Sequence, residues 1–408
     1  MTTPDLTDIE LYRQGFPHDV FSALRRDDPV HWQAIPERLN GAHDPGFWVL
    51  TRHADVQAAN RDPDLFTAFD GPQLALTPAM AGSMLVSMDG REHTRLRRLI
   101  SAGFTPRMVR RLDDQVRVWA ASIIDRALER GSCDFVQEVA YQLPMNVIGD
   151  IVGIPIGDRP EVFALTRDFI RAGDPELAMT PEEHLGVQVR MFEYAQELGR
   201  AKRIDPQDDV WTILSTVEIE TEDGGHTALG ELELDLFFMV LTVAGSETTR
   251  DAIAVGLLAL LEHPDALDTL RREPDAIPAA VEEIIRWTSP VSYFARRATR
   301  DTQVRGVPIA AGDRVTLWYA SANRDEDVFD DPFRFDIARS PNPHVAFGGG
   351  GPHFCLGANL ARREITILFE ELLARAREIE LVGPPRYSAL GIDNPVLVVM
   401  RELPVRIS

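Results

Sequence analysis

Residues 347–357 read FGGGGPHFCLG, and the amphipathic helical pattern that follows has one apolar face formed by Ala361, Ile365, Leu368 and Leu372. Cys355 therefore lies just before a helix, where backbone N–H groups can stabilise a thiolate and lower the pKa of the sulfur. The glycines allow the backbone to pass close beneath a flat ligand. An inert buried cysteine is the alternative for a cysteine met in isolation. A phosphate-binding loop is disfavoured, since the third glycine and the Lys-Ser/Thr pair of such loops are missing.

The length of the chain indicates how many domains it forms, and its cysteine content indicates which cysteine-based sites are possible. No Pro/Gly/Ser-rich tract or long charge run divides the 408 residues, so we predict a single domain spanning residues 1–408. Only Cys133 and Cys355 are present, which is too few for a disulfide framework or a four-cysteine metal site. Cys133 has no glycine-rich motif around it and is interpreted as a packing or surface residue.

The charge and the hydropathy pattern disfavour two kinds of partner. With 42 Lys and Arg against 64 Asp and Glu, the net charge is −22, which repels nucleic acid. The longest apolar run, residues 236–245, is far shorter than the roughly 20 residues that span a bilayer. The acidic first ten residues do not resemble a signal peptide. We therefore predict a cytoplasmic protein without membrane insertion.

Helical periodicity dominates the middle of the chain, over residues 108–130, 181–202 and 232–262. Strand patterns are short and lie toward the two ends, over residues 46–51, 314–318 and 395–400. The predicted fold is mainly α with small peripheral β-sheets.

The helix over residues 232–262 has a polar cluster at its centre. This helix is apolar on every side, as is typical of a core helix, yet residues 245–249 read GSETT. Glycine and threonine both weaken a regular helix. A tolerated kink between packed helices is the structural alternative to a functional cluster.

These segments together resemble the cytochrome P-450 family over nearly the whole chain. The cysteine loop carries one glycine more than is usual there and matches the family at Phe347, Gly351, His353, Cys355 and Gly357. The polar cluster matches the oxygen-activation motif as Ala244-Gly245-Ser246-Glu247-Thr248. The ExxR motif is matched by Glu283 and Arg286, which Arg339 completes as a structural triad. The resemblance implies the P-450 fold, with haem b between the long central helix and the cysteine-loop helix and with the Cys355 thiolate as axial iron ligand.

The resemblance also implies roles on both faces of the haem. Thr248 hydrogen-bonds the oxygen substrate and Glu247 helps to carry protons from solvent. Ala244 and Gly245 lie against the cofactor, where Gly245 leaves room for a diatomic ligand. The anionic propionates need arginine or histidine donors, and the family positions are matched by His93, Arg97, Arg296 and His353. Arg98 and Arg297, the neighbours in two arginine doublets, leave the register of Arg97 and Arg296 open.

A monooxygenase of this kind uses O2 and needs an external electron carrier. The sequence has no flavin or dinucleotide fingerprint and no iron–sulfur cysteine set, so a ferredoxin with its ferredoxin reductase is the expected source. Basic candidates for docking the ferredoxin are Arg107, Arg110, Arg111, Arg362 and Arg363. Ordinary solvated helix faces are the alternative reading of these arginines. A peroxide-driven peroxygenase and a non-catalytic haem-binding sensor are the alternative functions.

The substrate pocket is expected to be apolar. It would be lined by parts of residues 66–88 together with Val240, Leu241, Val291 and Phe294. This lining suits an apolar, elongated molecule. Residues 317–326 and 342–351 are most similar to soluble bacterial members that hydroxylate terminal carbons of methyl-branched fatty lipids, isoprenoids and sterol side chains.

Overall fold

The computed structural model describes residues 4–36, 44–74, 81–101, 106–171, 179–220, 225–390 and 397–408. Within these ranges the chain forms thirteen α-helices: α1 His18–Asp27, α2 His53–Arg61, α3 Gly90–Ser101, α4 Pro106–Arg130, α5 Gln142–Val152, α6 Arg159–Arg171, α7 Pro181–Ile204, α8 Val210–Thr216, α9 Glu231–Glu262, α10 Pro264–Arg272, α11 Ile277–Thr288, α12 Tyr319–Ala322 and α13 Ala358–Arg375. A π-helical turn, Val136–Ala140, precedes α5.

Fourteen short strands lie in the same described ranges: β1 Val30–Ala34, β2 Gly46–Leu50, β3 Phe66–Thr67, β4 Ser132–Asp134, β5 Glu218–Glu220, β6 His226–Ala228, β7 Tyr293–Ala298, β8 Thr302–Val304, β9 Val307–Ile309, β10 Arg314–Trp318, β11 Ile379–Leu381, β12 Arg386–Leu390, β13 Leu397–Glu402 and β14 Pro404–Ile407. They form a five-stranded sheet in the order β1-β2-β10-β7-β3, a three-stranded sheet β11-β14-β4, and three two-stranded pairs. In the five-stranded sheet only the β2–β10 pair is parallel. The prediction of a mainly α fold with small sheets is confirmed.

Helix α9 is the central element of the fold. Its 32 residues extend roughly 48 Å at about 1.5 Å per residue. The helix begins after Gly230, whose N–H donates to the Glu233 carboxylate at 2.8 Å, and it ends before Pro264, which opens α10. Helices α5, α7, α11 and α13 pack around it, so most of its length is buried. No helix in the described residues has both the length and the apolar character of a bilayer span.

A buried ion pair on α11 fixes the long segment that leads to the cysteine loop. Glu283 and Arg286 form a two-pronged contact with both N–O distances at 2.7 Å, and neither side chain is exposed. Arg286 also donates to the carbonyls of Asn323 and Pro332, while Arg339 donates to the Glu283 carboxylate at 3.2 Å. The sequence motif and its completion by Arg339 therefore correspond to a real three-residue contact.

Helix α13 carries a buried carboxylic acid, Glu364. Its Oε2 has no hydrogen-bond partner among the described residues, and burial raises the pKa of Glu364 to about 8 from an ordinary value of 4.5. Between these two pH values the unfolded chain releases a proton that the folded protein retains. The contribution of this group to stability is therefore complete below pH 4.5 and is lost as the pH rises toward 8.

We expect Glu364→Gln to remove this pH dependence. From pH 6 to pH 8, the free energy of unfolding of the native protein should fall relative to that of the variant, by up to about 1.4 kcal/mol per pH unit. Urea unfolding at several pH values measures the difference. Glu378→Gln, at an exposed position, is the control and should leave the pH dependence unchanged. Parallel pH profiles for the native protein and Glu364→Gln would contradict the prediction.

Candidate active site

The cysteine loop is a tight turn held open by glycine. All four glycines at 348–351 have positive φ, at 97°, 65°, 104° and 83°, a region that favours glycine. The turn closes with a hydrogen bond from the Cys355 N–H to the Phe347 carbonyl at 3.0 Å, and α13 begins right after Gly357. The extra glycine therefore belongs to a run of four consecutive residues that all have left-handed backbone conformations.

Gly351 also meets a neighbouring segment at very short range. A Cβ at this position would lie 2.5 Å from the Asn60 carbonyl oxygen and 3.0 Å from the Arg61 Cα, both at the end of α2. Neither atom can move without shifting the backbone of that helix. The loop thus needs glycine here for space as well as for conformation.

Two opposing effects act on the thiol of Cys355. The residue keeps exposed surface, yet it is surrounded by enough protein that burial raises its pKa. The N–H groups of Gly357 and Ala358 and the guanidinium groups of Arg97 and Arg362 act in the opposite direction, because they stabilise the thiolate. The donors expected at the helix start are therefore present. Burial nevertheless outweighs them in the protein alone, so the pKa of Cys355 is raised. The sequence had predicted a lowered pKa for this thiol.

Helix α3 brings two of the predicted propionate donors to the cysteine loop. The rings of His93 and His353 lie 4.5 Å apart, and Arg97 donates to the Phe354 carbonyl at 2.6 Å. His93 is buried, and its Nε2 has no partner among the described residues. Burial, followed by the charges of His353 and Arg97, lowers the pKa of His93 to about 4. Burial and the neighbouring cations therefore favour the neutral ring as long as no anion is bound beside it.

Asp89 is a neighbour of this cluster that the sequence did not reveal. Its Oδ1 lies 2.8 Å from the His353 Nε2, and its Oδ2 accepts from the Thr67 hydroxyl and the Ala68 N–H. These hydrogen bonds outweigh burial and lower the pKa of Asp89. The anion thereby orients the His353 ring against the loop.

Arg296 and Arg297, the second arginine doublet, lie on opposite faces of β7. Arg297 forms ion pairs with Asp44 and Asp70. Arg296 is 3% exposed, donates to the Ala295 carbonyl and to Asn60, and has no carboxylate partner among the described residues. A buried guanidinium without an anion is costly, so the position calls for an anionic ligand. Of the two, Arg296 is the residue suited to a propionate.

Five incompletely buried residues in the middle of α9 lie on one side of this largely buried helix. We call them the open stripe, and they are Val240, Leu241, Ala244, Gly245 and Thr248. The spacing of three to four residues places them on one side of the helix. The Thr248 hydroxyl donates to the Ala244 carbonyl at 2.7 Å, as expected for a threonine that loosens a helix turn. A Cβ on Gly245 would lie 2.9 Å from the Ile148 side chain, so close packing with α5 is one reason for this glycine.

Glu247 leaves the helix in a different direction. It follows Ser246 and precedes Thr248, and consecutive helical side chains diverge by about 100°. Glu247 is 2% exposed and pairs with Arg250 at 2.5 Å. The next residue, Asp251, accepts a hydrogen bond from the Met400 N–H of β13 at 2.6 Å, and burial raises the pKa of Asp251 to about 7. The structure therefore places Thr248 on the open stripe and Glu247 beside it, next to a second buried acid.

The remaining predicted pocket residues lie on β7 and just before it. Val291 and Phe294 are partly exposed, and Val291 forms an isolated β-bridge with Leu397 at the start of β13. Phe294 packs edge-on against Tyr319 at 5.9 Å. Within residues 66–88, positions 75–80 lie outside the described residues.

The arginines considered for ferredoxin docking divide into two groups. Arg362 pairs with Glu282 and lies over the Phe347 ring at 4.6 Å, while Arg363 pairs with Asp113. Both are therefore engaged within the molecule. The side chains of Arg107, Arg110 and Arg111 lie outside the described residues.

Comparison with known proteins identifies the family. A family model for cytochrome P450 matches residues 183–380. The chain is 42% identical to the putative cytochrome P450 126 of Mycobacterium tuberculosis, with 98% of this chain and 97% of that protein covered. The solved structure of the cytochrome P450 CYP268A2 of Mycobacterium marinum in complex with pseudoionone superposes with a TM-score of 0.86 and 38% identity, over 95% of this chain and 94% of that one. The chain belongs to the cytochrome P450 family.

Two further relatives carry names that describe an activity. The methyl-branched lipid omega-hydroxylase of Mycobacterium tuberculosis is 41% identical, with 90% of this chain and 86% of that protein covered. The steroid C26-monooxygenase of Rhodococcus jostii is 38% identical, with 96% and 83% covered. The protein is thus a cytochrome P450 monooxygenase, whose haem iron is ligated by a cysteine thiolate.

The residues present fit such a cofactor. Two observations call for an anion beside the cysteine loop: the buried Nε2 of His93 has no partner among the described residues, and Arg296 is a buried cation without a carboxylate there. The open stripe of α9 supplies an apolar wall with one hydroxyl. No group of three or more histidine, cysteine, aspartate or glutamate side chains in the described part of the chain could hold a different metal site. When bound, the haem supplies the centre that activates O2.

The sequence reasoning missed several residues that the structure brings to this region. Arg250 could have been found, because it lies three residues after Glu247, the same spacing that revealed the Glu283–Arg286 pair. Asp89, Asn60 and Asp251 gave no local signal, since their partners are distant in sequence.

We expect Gly351→Ala to impair haem retention and Gly306→Ala to leave it intact. The two glycines have nearly equal φ, +83° and +81°, but a Cβ on Gly306 would meet nothing within 4 Å. Both variants should lose about 1 kcal/mol of stability from the left-handed backbone. Only Gly351→Ala should also displace the end of α2 and lower the ratio of haem to protein after gel filtration. Equal ratios in the two variants would show that the close approach at Asn60 does not matter.

Proposed function

We propose that the protein is a ferredoxin-dependent monooxygenase that hydroxylates the terminal or near-terminal carbon of a methyl-branched fatty lipid, an isoprenoid or a sterol side chain. The open stripe of α9 carries this proposal, because Val240, Leu241 and Ala244 offer an apolar wall beside the single hydroxyl of Thr248. Such a wall suits an aliphatic chain and provides no charge to anchor a polar substrate. The names of the two relatives with a stated activity point to the same substrate class.

In this proposal Cys355 would supply the thiolate that binds the haem iron. Its support is the set of donors around the sulfur, namely the N–H groups of Gly357 and Ala358 with Arg97 and Arg362. Cys133 is a poor candidate, because it lies on β4, paired with β14, and no glycine-rich loop surrounds it. Phe347 contributes the carbonyl that closes the loop on the Cys355 N–H.

The propionates would be held by His93, Arg97, His353 and Arg296. The first three gather around one turn of α3 and the cysteine loop. Arg296 approaches from β7 through its contact with Asn60, whose carbonyl faces Gly351. Both sides of the site are therefore connected to the cysteine loop.

The reaction consumes one C–H bond, O2, two electrons and two protons, and it yields an alcohol and water. The electrons would come from a ferredoxin reduced by its reductase, and the protons from solvent. Thr248 would position a proton at its hydroxyl, and Glu247 would pass protons toward it. A peroxide-driven enzyme has little need of such a pair, so the pair supports the monooxygenase over the peroxygenase.

We also assign the whole chain to one domain that works in the cytoplasm.

Substrate binding can be tested by the low-spin to high-spin change in the haem absorption spectrum. Titration with a methyl-branched fatty lipid or a sterol should give a saturable shift, because an apolar chain that packs against the open stripe would exclude water from the haem. Straight-chain fatty acids of equal length should bind at least several-fold more weakly. If neither branched lipids nor sterols shift the spectrum, the proposed substrate class is wrong, while the family assignment stands.

Thr248→Ala should uncouple electron consumption from hydroxylation. Loss of the hydroxyl removes a positioned proton, so we expect product per NADH to fall roughly tenfold or more, with a matching rise in hydrogen peroxide. Thr248→Ser keeps the hydroxyl and should keep most of the coupling. Quantifying NADH, peroxide and product in the reconstituted system measures this. Coupling by Thr248→Ala equal to that of the native enzyme would remove Thr248 from proton delivery.

A further inference from the structure

A polar cavity of about 270 Å³ lies against α9, where Glu247 and Arg250 line it. Its walls come from β4, the π-helical turn, α6, α9 and the β12–β13 hairpin. The charged part of its lining comprises three carboxylates and three guanidinium groups, from Asp134, Glu247, Glu402, Arg167, Arg250 and Arg401. A balanced lining of this kind does not select an ion of either sign, and its size admits several water molecules.

Arg250 lines this cavity and forms an ion pair with the buried Glu247 carboxylate on the same helix. Its Nη2 lies 2.5 Å from the Glu247 Oε2, and the side chains are 9% and 3% exposed. The Arg250 Nε is buried and has no hydrogen-bond partner among the described residues. A buried carboxylate is stable as an anion only with such a partner, and the three-residue spacing holds the pair on one side of α9. Glu247 is thus fixed in a direction that lines the cavity.

We propose that this cavity is the inlet through which protons from solvent reach Glu247, and that Arg250 is a positioning residue which keeps the Glu247 carboxylate turned toward it. This inference rests on the proton-delivery role proposed above for Glu247 and Thr248. In each transfer the carboxylate accepts a proton from cavity water, passes it toward the Thr248 hydroxyl, and returns to its anionic form. Arg250 transfers no proton.

Other titratable groups face the same pair. Asp251 follows Arg250 on α9, and burial raises the pKa of Asp251 to about 7 despite the Met400 N–H. Tyr141 lines the cavity, and burial, with the charge of Glu247, raises its pKa well above the usual range. Asp134 on β4, Arg167 on α6, and Arg401 and Glu402 on β13 also contribute charges to the lining, and Glu402 pairs with Arg386. Any ionisation near neutral pH in the activity profile must therefore be separated from that of Asp251, which Asp251→Asn does.

The test compares holoenzymes reconstituted with a ferredoxin and its reductase. Arg250→Met should lower kcat roughly tenfold, change KM for the substrate less than twofold, raise peroxide release and increase the solvent deuterium isotope effect on kcat. Arg250→Lys keeps a cation and should recover part of kcat. Ser388→Phe, which puts a bulky side chain into the cavity and leaves both Glu247 and Arg250 in the sequence, should also increase the isotope effect.

Arg159→Met is the matched control, since Arg159 forms a similar buried bridge at 2.5 Å with Asp150 on α5. It should lower the melting temperature while coupling and isotope effect stay native. The inference is overturned if Arg250→Met behaves like this control, or if Ser388→Phe leaves the isotope effect unchanged. If Glu247→Gln and Thr248→Ala also couple normally, the underlying proton-delivery role fails as well. Impaired coupling in those two variants alone would confine the failure to the cavity and Arg250.

Discussion

The contact between Glu283 and Arg286 organises the part of the molecule that leads to the cysteine loop. Both side chains are fully buried, and in the described part of the chain their hydrogen-bond partners beyond α11 lie in residues 323–342, which lead to the cysteine loop. The preceding residue, Glu282, extends the same connection to His344 and Arg362 on either side of that loop. Because a buried charge is stable only when fully paired, the path of the chain from α11 to α13 is fixed by electrostatics.

A second constraint is that apolar and charged side chains of α9 lie on different sides of the helix. The open stripe of α9 presents Val240, Ala244 and Thr248, whereas Glu247 and Arg250 lie toward a polar cavity. The 100° step of the α-helix produces this separation from adjacent residues. An oxidation site needs such an arrangement, since an apolar chain and a proton source must both come close to the oxygen without mixing.

The β12–β13 hairpin touches both of these regions. Asp251 accepts the Met400 N–H from β13, Ser388 and Val399 line the polar cavity, and Leu397 pairs with Val291 next to the predicted substrate pocket. One two-stranded element therefore borders both the proposed substrate side and the proposed proton side of α9. Its position explains why a short peripheral sheet at the end of the chain matters to chemistry at the centre.

The sequence by itself determined the features that local spacing encodes: the helical body, the long apolar helix with its polar interruption, the ExxR pair and the glycine-rich segment before Cys355. Tertiary structure decided what depends on partners far along the chain. It assigned Arg296 to the interior and Arg297 to ion pairs at the other face, because a strand turns alternate residues to opposite sides. It also showed that Gly351 is confined by Asn60 and that burial raises the pKa of Cys355 where the helix start alone predicted a lower one. Desolvation and close approach arise only when distant segments pack together, so no local pattern could have revealed them.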